Sequence, residues 1–167
     1  MRAAIAVVLC LLSANFAALA AGNQAEKDAD KAVRYTAALE SNPFRSDAPE
    51  MRKWLMQWLT QTPAFTVTVC DILGPIPGTK VPNGPNLLLQ QMFGNVAFQI
   101  KNPNKTDSVS VQVAGVESLL KSYSVILAKD PGARIPYLDN LLAKQRNSSL
   151  KDHMAPLIVR ECDDDAA

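Results

Sequence analysis

A serine or cysteine nucleophile needs a base within hydrogen-bond reach, and the chain offers one histidine, His153, for that role. No G-x-S-x-G stretch accompanies it. His153 stands beside Asp152 in what reads as the terminal helix, where a histidine ordinarily packs or is solvated. Zinc hydrolysis needs clustered ligands, and H-E-x-x-H and every other multi-histidine spacing are absent. Gly78-Thr79-Lys80 has the residue types of a phosphate-binding turn. However, prolines at 75, 77, 82 and 85 remove backbone donors, and the spacing departs from G-x-x-x-x-G-K-[ST]. The whole stretch from Gly74 to Pro85 reads as a stiff connector, with a polyproline-like handle for a partner as its other use. No cofactor and no metal follow from these residue types.

Carboxylates alone can cleave a glycosidic bond when one of them is buried enough to keep its proton. Glu117 is the candidate, on the flank of Val113, Val116 and Leu120. Glu117-Ser118 resembles the Glu-Ser dipeptide at the catalytic glutamate of the lytic transglycosylases, which cut bacterial cell-wall glycan. The resemblance covers those two residues, and the Gly-Leu-Met-Gln stretch that follows in that family has no counterpart after Ser118. It implies a glycan-cleaving enzyme with Glu117 as its acid; the plainer reading is a glutamate on a helix surface.

Arg2, the apolar run from Ala3 to Leu12 and Ala18-Leu19-Ala20 have the three parts of a secretory signal peptide, with cleavage expected after Ala20. Cys10 follows Leu9 inside the apolar run, which is not the position of a lipidated cysteine. Residues 21–162 then form a single helical domain, and the acidic end, 163–167, is expected to be disordered. Loss of Arg2 brings the 17 basic residues level with the 16 acidic ones, so no global field attracts nucleic acid or an anionic membrane. The densest basic patch, Lys144 to Lys151, lacks interleaved aromatics. Of the 3 cysteines, Cys70 and Cys162 remain after cleavage, and a pair of thiols in an oxidising compartment implies a disulfide. Asn104-Lys105-Thr106 and Asn147-Ser148-Ser149 match the N-glycosylation pattern.

The elements that must position these residues are helical. Leu87 to Ile100 is the most apolar run beyond the signal segment; Leu88, Met92, Val96 and Gln99 share a stripe, and Leu87, Leu89, Phe93, Ala97 and Ile100 widen it. Interrupted by Gln90, Gln91 and Asn95, it falls short of the roughly 20 apolar residues that cross a bilayer, so it belongs in the middle of a bundle. Gly84 and Pro85 begin it, and Gly94 within it points to a close helix crossing or to a ligand against the backbone. Before it, 23–41 reads as a loosely docked helix with an alanine face. A second helix has Asp47 and Glu50 as a capping box and Met51, Trp54, Leu55, Trp58 and Leu59 inward; core packing for the tryptophans outweighs a ligand platform.

Phe65 to Val69 alternates like a strand, but a lone strand would leave its backbone unpaired, which predicts a short helix from Thr66 to Leu73. The spacing of Val109, Val113, Val116, Leu120, Tyr123 and Leu127 predicts the longest helix, from Asp107 to Lys129. Ile135, Leu138, Leu141 and Leu142 mark another reaching Arg146, and a last one, capped by Ser148 or Ser149, should kink or restart at Pro156 before Cys162.

The expected fold is an all-α irregular bundle of about six helices stapled by one Cys70–Cys162 disulfide. The expected function is a non-enzymatic binding or interaction module, exported to the periplasm or beyond the cell, whose partner is a protein or an apolar small molecule. A glycan-cleaving enzyme using a buried Glu117 is the alternative. Neither nucleic acid nor a membrane span after cleavage is expected.

Overall fold

The computed structural model of the protein describes residues 24–76, 78 and 81–162. The signal segment 1–20, the acidic end 163–167 and Thr79-Lys80 of the connector lie outside the described residues. The chain divides into two compact units, 1–31 and 32–167. In the first, 24–31 are helical, with Gln24 donating to Asp28 at 3.0 Å.

Among the described residues every regular element is a helix. The first, α1, covers 24–41; then come α2 (Ala48–Gln61), α3 (Gly84–Lys101), α4 (Ser108–Lys129), a short 3-10 turn (Pro131–Ala133), α5 (Pro136–Arg146) and α6 (Leu150–Cys162). The all-α reading and the disulfide are both present: Cys70 and Cys162 are joined, with α-carbons 5.3 Å apart. No described helix is long and apolar enough to cross a membrane.

Helix α4 starts where its capping residue dictates, the Asp107 carboxylate accepting from Ser110 N at 2.8 Å. Of the seam read from its spacing, Val113, Val116, Leu120 and Tyr123 are buried, and Val109 and Leu127 are partly buried. That seam meets Leu138, Leu141 and Leu142 of α5 and Leu150, Met154 and Ile158 of α6 in the larger core cluster. Tyr123 finds partners for its buried hydroxyl, accepting from Ile135 N at 2.7 Å and donating to Asp139 at 2.9 Å. Burial, above all, raises its pKa.

A second face of α4, absent from the apolar spacing, is also buried: Gln112, Gly115, Ser118, Leu119 and Ser122. It faces α3, where the three polar residues read as interruptions, Gln90, Gln91 and Asn95, are among the most deeply buried, while Leu88 and Met92 are half-buried. The reason is a helix crossing with a glycine on each side. A Cβ on Gly94 would collide with Ser118 Cβ and lie 3.1 Å from Gly115 Cα; one on Gly115 would collide with Asn95 Oδ1 and lie 2.7 Å from Gln91 O. Close backbones leave room for polar side chains to bond across the seam, and they do: Gln90 to Ser118 at 2.9 Å and Gln91 to Gln112 at 2.6 Å.

Several expectations are corrected. The segment Thr66 to Leu73 is not a helix but irregular chain, with a tight turn from Cys70 to Ile72. Asp47 forms no capping box, because its carboxylate pairs with Arg45, which lowers its pKa. Asn83, in the left-handed region at φ 58, takes the capping position before α3 instead of Gly84. Helix α6 runs through Pro156 without restarting, and Pro156 is exposed. Within 32–41, Leu39 is fully buried, and Ser122 donates to its carbonyl at 3.0 Å. This end of α1 is thus firmly seated.

Candidate functional site

The irregular segment between α2 and α3 is the part of the chain that least resembles its surroundings. Side chains of the central helices hold it from within: Gln99 Nε2 donates to Thr66 O at 3.0 Å, and Gln112 Nε2 donates to Thr68 O at 2.8 Å. A backbone carbonyl can only accept, which fixes the orientation of the Gln112 amide. Its Oε1 must then face inward, where it accepts from Gln91 Nε2 at 2.6 Å and Asn95 Nδ2 at 3.3 Å. Gln112 therefore bridges the buried layer and the surface segment. The oxygens of Gln91 and Asn95 find no hydrogen-bond donor among the described residues.

Two alternate carbonyls held by side chains of α3 and α4 fit an extended backbone, in which the N–H and C=O of one residue point the same way and alternate along the chain. In such a backbone the bonded carbonyls of Thr66 and Thr68 turn toward the helices and the backbone groups of Phe65, Val67 and Val69 turn away from them. Among the described residues nothing bonds to the backbone of these three. Val69 is 56% exposed, among the most exposed large apolar residues described.

Both ends of this open edge are anchored. At its start Phe65 closes a row of rings, with Tyr35 to Trp54, Trp54 to Trp58 and Trp58 to Phe65 at centroid spacings of 5.4, 5.8 and 5.9 Å. Neither tryptophan is fully buried; both sit against the smaller core cluster with faces and edges taken by neighbouring rings. At its end Cys70 is tied to α6, and past it Tyr137 donates to Ile72 O at 2.7 Å, with burial raising the tyrosine pKa. Gly74, at φ +62, lies under the Tyr137 ring, where a Cβ would come within 2.9 Å.

Beside the segment runs a trough of about 350 Å3 bordered by Thr66, Thr68, Gln99, Thr106, Ser108 and Gln112, with Cys162 at its rim. Its lining carries no charged side chain. Hydroxyls and amides of this kind give and accept hydrogen bonds without selecting for charge. An adjoining hollow of about 170 Å3 adds Phe65 and Lys105.

The other candidates lie apart. Glu117 is exposed on α4 and borders neither cavity, so the buried carboxylate that a glycosidic acid requires is not formed by it. His153 is exposed on α6, its pKa lowered by partial burial and by Lys144. Of the expected site residues only the disulfide lies at this surface. An apolar crevice bounded by Leu55, Trp58, Phe93 and Val96 is too tight to admit water and gives an apolar ligand no room. Asn104 and Asn147 of the glycosylation patterns are both exposed. The amides of Gln99 and Gln112 were missed by sequence reasoning, since a glutamine that bonds a distant carbonyl has no local signature. Compared with family models, with curated proteins and with solved structures, the chain matches none.

Proposed function

We propose that the protein is an exported, non-enzymatic binding module that holds an extended peptide segment of a partner protein along the edge formed by Phe65, Val67 and Val69. The observation that carries this reading is a non-helical stretch of backbone whose Phe65, Val67 and Val69 groups have no partner among the described residues, held by Gln99 and Gln112 and at its end by the disulfide. Strand addition obtains affinity from main-chain hydrogen bonds, and an edge ordered before binding does not pay for its own ordering. The neutral trough alongside suits uncharged polar side chains. Export rests on the leader-like residues 1–20 and is compatible with a disulfide, which persists in oxidising compartments.

The test is Val67→Pro. Proline removes the central outward N–H, tolerates an extended predecessor and breaks no internal hydrogen bond here. Peptides selected from a random displayed library on the wild-type protein should bind the variant about tenfold more weakly, the worth of one well-made hydrogen bond, while its melting temperature holds. Equal affinity for the two proteins would refute strand addition at this edge.

A further inference from the structure

Between the first turns of α2 and α3 lies a separate pocket of about 260 Å3, bordered by Phe44, Arg45, Pro49, Arg52, Asn83 and Asn86 among others. Its charge is one-sided. Arg45 is matched by Asp47, but Arg52 pairs with no carboxylate among the described residues. The Arg52 guanidinium is half-buried and spends one of its five donors, Nη2 reaching Pro43 O at 2.8 Å. Burial lowers its pKa and no neighbouring charge offsets this, yet a guanidinium stays protonated at neutral pH. Lys129 stands over the Phe44 ring, its Nζ 4.5 Å from the centroid, and also lacks a carboxylate partner among the described residues. Glu50 is exposed and lies outside the pocket lining.

A partly desolvated cation without a counter-ion is costly, and an anion in the pocket beside it would offset that cost. Donors approach from more than one direction: the free fork of Arg52 and the side-chain amides of Asn83 and Asn86. Phe44, 41% exposed, offers an apolar wall for the organic part of a ligand. We propose that this pocket binds a small phosphate ester, with Arg52 as its forked donor and Asn86 as a second ligand to the phosphate oxygens. A lone phosphate ion would leave most of the pocket unfilled, whereas an ester carries a group for Phe44 to cover.

The experiment is calorimetric titration of the purified protein with glycerol 1-phosphate, with glycerol and sodium chloride of matched ionic strength as blanks. The expected result is saturable binding to one site, weakened about tenfold or more by Arg52→Gln, less by Arg52→Lys, and unchanged by Arg146→Gln on the exposed end of α5. Asn86→Asp, an exposed change that sets a negative charge toward the ligand, should weaken it as much and serves if Arg52→Gln does not fold. The backbone amide of Asn86 should shift in a nitrogen–proton correlation spectrum during the titration. Absence of saturable binding, or an affinity within about twofold of wild type for both Arg52→Gln and Asn86→Asp, overturns the proposal.

Discussion

Alanine at Gly115 separates two physical accounts of α4 by sign. If α4 were an ordinary surface helix, the change would stabilise it by about 1 kcal/mol, the propensity difference between glycine and alanine in a helix interior. The structure requires the opposite. The new Cβ would overlap Asn95 Oδ1 and approach the Gln91 carbonyl to 2.7 Å, and a backbone carbonyl cannot rotate aside. The helices must part, at about 1 to 3 kcal/mol for overpacking. Asn95 and Gln91 both donate to Gln112, so their displacement costs about 1 kcal/mol more. Against the propensity gain, the net is a loss of about 1 to 3 kcal/mol. Urea unfolding followed by tryptophan fluorescence and far-UV circular dichroism measures it, provided the slope is unchanged. Adding Asn95→Ala should return part of the loss, because it clears one of the two obstructions, and a double-mutant cycle isolates that coupling. A Gly115→Ala protein as stable as wild type, or more so, would show that the α3–α4 crossing is not as close as described.

Two further outcomes are expected. The Cys70–Cys162 link closes a loop with a sequence separation of 92, for which the chain-entropy relation gives about 4 to 5 kcal/mol. The Cys70→Ser/Cys162→Ser double variant should therefore lose much of a domain's ordinary 5 to 15 kcal/mol; a loss under about 1 kcal/mol in urea unfolding contradicts this. Asp107→Ala should cost about 1 kcal/mol at neutral pH through the lost cap. The backbone bond from Ser110, first among its causes, lowers the Asp107 pKa below the ordinary 3.8, so this contribution is full above that value and fades as the pH falls through the lower folded-state value. Variant and wild type should converge in stability toward pH 2, and a gap that persists there argues against the carboxylate as the cap.

Where a residue's environment is set by its own helix, the sequence was readable. The i, i+3, i+4 spacing of Leu138, Leu141 and Leu142 and the 4-3 seam of α4 put those side chains on one face whatever they meet, and the core is where they lie. The segment from Thr66 to Leu73 was misread for a reason that can be named. A lone strand was rejected because its carbonyls would go unpaired, yet Gln99 and Gln112, 33 and 44 residues further along the chain, supply the donors. No local pattern contains that information. The same holds for Gln90, Gln91 and Asn95: by type they marked breaks in an apolar face, and it takes the hydroxyl at 118, the glycine at 115 and the amide at 112 to make the interior polar where they enter it.

These distant partners meet in one side chain. Gln112 takes two hydrogen bonds from α3 through its oxygen and gives one to Thr68 through its nitrogen, so its position is set by the crossing and its reach sets the position of the open edge. Gly94 had hinted at such a crossing, since a glycine inside a helix is kept at a cost in helix stability. What the crossing accomplishes could not be read from it. By bringing the backbones close, it places a bonded amide at the trough wall, and that amide holds a non-helical segment that has no neighbouring strand among the described residues. Any change that widens the crossing should thus also loosen the segment from Phe65 to Val69, although neither glycine touches it.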